Sequence, residues 1–213
     1  MKFPNPTPRR PAFLDHQQVA NIAGGVDPAR RTEVAHTTAA ALVTQGRARA
    51  VDSELVQRLV ALVDEQGIDE IAELWADAAP ETLPGALWRL YMLRETARTQ
   101  TATLARLWEQ GLGATEVAQS VAGLGPGDVA EEIVVLFDRV VGGVFAGDLD
   151  VALDRASAFC QIIAAGSAEL AGSADLIGGP ELASQLIHDG GVMAQRAGEL
   201  RGAAAAWRAG RLD

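Results

Sequence analysis

Apolar residues recur along this chain of 213 residues at intervals of three, four or seven, and no segment alternates apolar with polar residues over the length of a strand. Such spacing gathers apolar side chains on one face of an α-helix. Residues that start and stop helices bound most of these segments, whereas the turn residues of β-hairpins do not. The sequence therefore predicts an all-α fold, a compact bundle of about eight to ten helices without a sheet.

Capping residues, prolines and glycines predict where these helices begin and end. The segments expected to be helical are about 15–24, 27–46, 52–67, 69–79, 84–98, 101–110, 115–122, 128–145, 148–166 and 180–207. In this scheme Gly166 ends a helix, and residues 172–180, with the sequence GSADLIGGP, form a loop.

The chain begins with a segment in which proline recurs, at Pro4, Pro6, Pro8 and Pro11. Proline has no amide donor and favours extended backbone, so residues 1–12 are expected to be a proline-rich basic tail. Residues 13–213 are expected to form a single all-α domain. Glycines between residues 111 and 127 leave open a division into two subdomains, 13–110 and 115–213.

The formal net charge of the chain is -10, and it is unevenly distributed. Residues 1–50 carry seven basic and three acidic side chains, whereas residues 51–213 carry eleven basic and twenty-five acidic ones. An acidic body repels nucleic acid and anionic lipid, so neither is expected to bind through the main surface. The apolar runs are too short for a membrane span, and the N-terminal residues lack the apolar core of a secretory signal, so a cytoplasmic protein is expected.

Residue patterns that carry catalytic chemistry are incomplete in this sequence. Glu33 and His36 have the spacing of a metal-binding pair on one helix face, but the second pair that a di-iron site needs is missing. Asp148, Asp150 and Asp154 form the densest acidic group, yet these positions also suit an N-cap and a first helical turn. No nucleophile–base pair or phosphate loop is found, so a non-enzymatic protein without metal or cofactor is favoured, while an enzyme stays open.

The single cysteine, Cys160, lies in the middle of an apolar helical stripe. One sulfur excludes an internal disulfide and a thiolate metal cluster. The position predicts a buried thiol that packs in the core rather than a nucleophile. The stripe comprises Leu149, Ala152, Leu153, Ala156, Phe159, Cys160 and Ile163.

An arginine, Arg94, lies near the centre of the apolar face of the helix predicted at 84–98. An unpaired guanidinium is costly to bury, so Arg94 should meet a carboxylate of another helix or a bound anionic ligand. The ligand alternative places a binding site around Arg94, Tyr91 and Trp88. Trp88 and Met92 lie on the opposite side, so this helix is expected to be central or to be covered by a partner.

Residues 17–36, QQVANIAGGVDPARRTEVAH, resemble a helix-turn-helix whose second helix carries Arg30 and Arg31. That motif needs a tight turn with one glycine, whereas Gly24 and Gly25 add a residue, and the recognition helix would begin with an acid. Two core helices joined by a glycine turn are favoured, and DNA binding through the basic N-terminal segment is left as an alternative.

Three segments carry a wider resemblance: PAFLDHQQVANIAGGVDPARR at 11–31, LPGALWRLYMLRE at 83–95 and FAGDLDVALDRASAFC at 145–160. They resemble segments of a family of small actinobacterial all-α proteins of unknown function. The resemblance would cover most of the chain, and it implies no catalytic residue.

These observations favour a helical protein that acts through protein–protein interaction or self-association. Arg30, Arg31 and Met92 are the candidate interaction residues. The first alternative is a small-molecule or anion-binding pocket, or an enzyme site, around Arg94. The second is a DNA-binding regulator. The expected partner is a protein or a second copy of the chain, rather than a membrane or a nucleic acid.

Overall fold

The computed structural model of the chain describes residues 27–47, 69–114, 116–124, 128–146, 148–177 and 179–213. Within these ranges every regular element is helical, which confirms the predicted all-α class. The elements are α1 (Pro28–Arg47), α2 (Asp69–Ala72), α3 (Leu83–Thr99), α4 (Thr101–Gly111), α5 (Glu116–Ala122), α6 (Val129–Ala146), α7 (Leu149–Ile177) and α8 (Pro180–Arg208), with short 3-10 helices at Glu73–Trp75 and Leu112–Ala114.

Apart from the single turn α2, seven helices are present among the described residues, slightly fewer than the eight to ten predicted. The predicted helices at 15–24 and 52–67 and the predicted tail at 1–12 lie outside the described residues. None of the helices in the described ranges is both long and apolar enough to cross a membrane.

Side-chain caps begin three of the helices. The Asp27 carboxylate accepts a hydrogen bond from the amide of Ala29 at 3.1 Å, and the hydroxyl of Thr82 accepts one from the amide of Gly85 at 3.2 Å. Asp128 caps α6 in the same way. These bonds satisfy amides that have no partner within the first helical turn.

Helices α7 and α8 form a long antiparallel hairpin, against which α3, α4, α5 and α6 pack, and α1 packs on α3 and α6. The hydroxyl of Ser157 on α7 donates a hydrogen bond to the main-chain oxygen of Ala197 on α8 at 2.7 Å. The opposite side of α7 carries Phe159, which stacks on Trp108 of α4 at 5.5 Å and meets Phe137 of α6 edge-on at 5.0 Å. The predicted apolar stripe of α7 is buried, because each of its members is at most 3% exposed.

The expected end of α7 at Gly166 is wrong, because the helix continues to Ile177. A β-carbon at Gly166 would lie 1.8 Å from the main-chain oxygen of Leu107 on α4. This glycine therefore permits a close helix crossing and does not stop the helix. The expected loop at 172–180 is also wrong for most of its length, because residues 172–177 continue α7 and Pro180 begins α8.

One continuous core joins the helices on either side of residues 111–115. It includes Leu90 of α3 and Leu107 of α4 as well as Phe137 of α6 and Leu153 of α7. After α8 the chain turns at Gly210, which has a φ of 63°. The amide of Leu83 then donates to the main-chain oxygen of Asp213 at 2.8 Å, so the segment after α8 reaches the start of α3.

Candidate functional site

Arg94 meets two carboxylates at the contact between α3 and α6. Its Nε atom lies 3.1 Å from Oδ1 of Asp138, and its Nη1 atom lies 3.2 Å from Oε1 of Glu95. Arg98 reaches the same Asp138 oxygen at 3.1 Å. The Arg94 side chain is 17% exposed and that of Asp138 is 48% exposed. The carboxylate of another helix is thus present beside Arg94, and it is open to water.

The aromatic residues expected beside Arg94 pack on each other and on the core. Trp88 and Tyr91 stack with ring centroids 5.5 Å apart and an interplanar angle of 27°. Both are half-buried and contact the core, and Met92 is half-buried as well. Trp88 and Tyr91 therefore cover apolar side chains of the bundle.

The acidic group at the start of α7 is held by an arginine from α8. Nε of Arg208 lies 2.9 Å from Oδ2 of Asp150, and its Nη2 atom binds Asp154. Asp148 precedes the helix, and its main-chain oxygen accepts from the amide of Ala152. In the described ranges no three His, Cys, Asp or Glu side chains are grouped in a way that could hold a metal ion.

Cys160 is fully buried in the core, at 0% exposure. Burial disfavours the charged thiolate and raises the pKa of this thiol to about 12, although the charge of Arg196 acts in the opposite direction. A thiol in this state is a core side chain and a poor nucleophile.

An ion pair between Arg89 and Glu199 joins α3 to α8, and no sequence motif indicates it. Nε of Arg89 lies 2.5 Å from Oε2 of Glu199, and Gln195 donates to the other carboxylate oxygen at 2.8 Å. Burial raises the pKa of Glu199, but the hydrogen bonds from Arg89 and Gln195 outweigh it and leave the pKa below its ordinary value. The partners are 110 positions apart in the sequence, so no local pattern predicts that they meet.

On one side of α8, small residues are exposed to solvent. Gly191, Gly198 and Gly202 are exposed, and a β-carbon added to any of them would meet nothing within 4 Å in the described part of the protein. Spacings of seven and four residues keep them on one side of the helix. Ala194 and Ala205 share this side, and so does Ile187, which is 64% exposed. We call these six residues the α8 face.

The glycines of the α8 face differ from the glycine beside them. A β-carbon at Gly190 would lie 2.9 Å from Cβ of Ser167 on α7, so close packing within the chain explains that glycine. Each glycine inside a helix costs about 1 kcal/mol relative to alanine. No contact among the described residues explains this cost at Gly191, Gly198 and Gly202.

A cavity of about 400 Å³ opens between the first half of α1 and the segment that leads into α3. Residues of α1 between Pro28 and His36 form one wall, and the 3-10 helix Glu73–Trp75 with the residues after it forms the other. The lining residues are Pro28, Arg31, Thr32, Ala35, His36, Leu74, Asp77, Ala78, Ala79 and Thr82.

Three contacts fix the second wall of the cavity. The indole Nε1 of Trp75 donates to the hydroxyl of Thr38 on α1 at 3.1 Å, and Trp75 is 1% exposed. The hydroxyl of Thr82 donates to the main-chain oxygen of Ala79 at 2.7 Å. A β-carbon at Gly85 would lie 1.8 Å from that same oxygen, so only glycine lets α3 approach the wall this closely.

Opposite charges line the mouth of the cavity. Nη1 of Arg31 lies 3.6 Å from Oδ2 of Asp77, and these side chains are 64% and 85% exposed. His36 is half-buried and makes no hydrogen bond or ion pair with another described residue. Glu33, which has the spacing of a metal-binding pair with His36 in the sequence, is exposed and does not line the cavity.

The predicted interaction residues Arg30 and Arg31 are both exposed on α1, but only Arg31 lines the cavity. The first helix of the proposed helix-turn-helix lies outside the described residues. Arg94, Tyr91 and Trp88 lie on α3 away from this cavity, so the structure does not bring them together with Arg31. Comparison with protein-family models, with curated proteins and with solved structures gave no match to this chain.

Proposed function

We propose that this protein acts by association rather than by catalysis, and that a second copy of the chain docks on the α8 face. The observation that carries this proposal is the run of exposed helix glycines at Gly191, Gly198 and Gly202, which nothing else in the described chain requires. Small residues on a helix let a second backbone approach closely. The protein uses the same device internally, where Gly111 and Gly166 bring α4 against α7.

Shape supports a second copy as the occupant. When two α8 helices lie antiparallel about Gly198, Ala194 of one copy is opposite Gly202 of the other, and Gly191 is opposite Ala205. Small residues then face small residues from Gly191 to Ala205. Ile187 extends beyond this pairing toward the end of the opposite helix, where Ala209 is exposed. Burial of a side chain of this size contributes about 1.5 to 3 kcal/mol.

Charge supports the same occupant. The chain as a whole has a net charge of -10, which repels a second copy at most approaches. Helix α8 contains three acidic side chains and three arginines, so its own net charge is zero. Two copies can therefore meet along α8 with little of the repulsion that the rest of the surface creates.

The two alternatives have less support in the geometry. A ligand site around Arg94 competes with Asp138 and Glu95, which already bind this guanidinium. DNA binding through Arg30 and Arg31 would have to act beside the carboxylate of Asp77, which faces Arg31. We therefore retain association as the proposed function.

The test is the molar mass of the protein in solution, measured by size-exclusion chromatography with light scattering. The unaltered protein is expected at about twice the chain mass of 22.3 kDa. Gly198→Leu places a long side chain in the middle of the α8 face and should give monomers that retain full helicity. Gly172→Leu is the matched control, because Gly172 is an exposed helix glycine of α7 with open space around it.

Two results would overturn the proposal. One is an unaltered protein that stays monomeric at high micromolar concentration. The other is a dimer that Gly172→Leu disrupts as strongly as Gly198→Leu.

A further inference from the structure

The cavity between α1 and α3 is lined by one positive side chain, Arg31, and one negative side chain, Asp77, which interact only weakly with each other. Arg31 and Asp77 approach to 3.6 Å without a hydrogen bond, and both are largely exposed. Exposed ion pairs of this kind contribute about 0 to 1 kcal/mol to stability. A ligand that offers better geometry to each charge can therefore separate them at small cost.

The cavity is of suitable size and has an apolar part. Its volume of about 400 Å³ falls within the range of roughly 300 to 1,000 Å³ that is typical of small-molecule sites. Leu74 is 46% exposed, and it lines the cavity together with Ala35, Ala78 and Ala79. An apolar side chain of a ligand would cover the exposed part of Leu74.

The polar groups are arranged for a ligand with two charges. A ligand whose only charged group is a carboxylate would pair with Arg31 and leave Asp77 without a partner. A ligand whose only charged group is an ammonium would pair with Asp77 and leave Arg31 without a partner. Pro28 marks the N-terminal end of α1, whose dipole favours a carboxylate near Arg31 in the first helical turn. His36 lines the same cavity and makes no hydrogen bond with another described residue, so its imidazole can hydrogen-bond to the ligand.

From these features we propose that the cavity binds a small zwitterion of amino-acid size. Arg31 binds the carboxylate, Asp77 binds the ammonium group, and an apolar side chain packs against Leu74 and Ala35. This site is separate from the α8 face and does not depend on the association proposed above.

Isothermal titration calorimetry of the full chain with L-alanine, L-leucine and L-phenylalanine tests the proposal. At least one of the three is expected to bind saturably at millimolar concentration. The carboxylate and amine analogues of that amino acid, each of which lacks one charged group, should bind at least about tenfold more weakly, a difference of about 1.4 kcal/mol. Arg31→Met and Asp77→Asn should each weaken binding by a similar factor.

Arg30→Met is the matched control, because Arg30 is the exposed neighbour of Arg31 that does not line the cavity. It should leave the affinity unchanged. Binding should also survive Gly198→Leu, which separates this site from the α8 face. Absence of binding for all three amino acids would overturn the proposal, and so would equal binding of either analogue or equal loss with Arg30→Met.

Discussion

Gly111 of α4 and Gly166 of α7 face each other where the two helices cross. A β-carbon at either glycine would lie 3.0 Å from the main-chain nitrogen of the other, and one at Gly111 would lie 2.1 Å from the main-chain oxygen of Ile162. The backbones of the two helices are therefore in direct contact. Side chains at this point would hold the helices apart and open the core around Trp108 and Phe159.

This contact predicts opposite effects for two similar substitutions in α7. Gly166→Ala forces backbone atoms of α4 to move and should lower the free energy of unfolding by about 3 kcal/mol. Gly172→Ala meets open space, so the better helix propensity of alanine should raise stability by up to about 1 kcal/mol. Urea denaturation followed by circular dichroism measures both. Equal effects of the two substitutions would contradict the close crossing.

The helices themselves could be predicted because their signals are local. The cap at Asp27, the proline at Pro84 and the apolar stripe around Cys160 all act within a few residues. The prediction that Gly166 ends a helix is wrong because the sequence alone does not distinguish a glycine that ends a helix from one that permits a close helix crossing. Only the position of α4 distinguishes them.

The candidate sites depend on contacts that the sequence does not encode locally. Arg31 was selected as an interaction residue from its charge, but Asp77 lies on a different element, and the cavity between them exists only after folding. In the sequence alone, the glycines of the α8 face only lower the helix propensity of the last helix. Their significance appears when Gly190 is seen to be packed while Gly198 is open.

Arg94→Met should reduce stability only modestly. The substitution leaves Asp138 without one partner, but this carboxylate is 48% exposed and keeps Arg98 at 3.1 Å. The Asp138 carboxylate therefore stays solvated and keeps one ion pair, so the free energy of unfolding should fall by only about 1 kcal/mol. Arg98→Met, at the more exposed partner, should cost less, at most about 0.5 kcal/mol. A loss of several kcal/mol for Arg94→Met would show that Asp138 is effectively buried.

Cys160 should react slowly with an aromatic disulfide reagent at pH 8. Burial raises the pKa of its thiol to about 12 and leaves it no exposed surface. In the folded state the thiol is therefore protonated at pH 8 and cannot be reached by the reagent. Labelling is expected to proceed at the rate of unfolding and to become immediate in concentrated urea. Absorbance of the released thiol measures both rates. Rapid stoichiometric labelling of the folded protein would mean that the core opens around α7.

The ion pair between Arg89 and Glu199 gives the protein a pH-dependent contribution to stability. Hydrogen bonds from Arg89 and Gln195 favour the ionised carboxylate and lower the pKa of Glu199 in the folded state, against the effect of burial. A group with a lowered pKa stabilises the fold above its unfolded pKa, which is about 4.3 for glutamate. That stabilisation is lost as the pH falls through the lower folded pKa.

Glu199→Gln should therefore reduce stability at pH 7, by about 1.5 kcal/mol, because the hydrogen bonds to a charged acceptor become weaker. The difference between the variant and the unaltered protein should shrink below about pH 4, since protonation then removes the same charge from the unaltered protein. Glu109→Gln is the control, because Glu109 is exposed on α4 and has no ion pair with another described residue. Urea midpoints between pH 3 and pH 7 measure all three proteins. A stability difference for Glu199→Gln that stays constant over this range would show that its carboxylate does not titrate with folding.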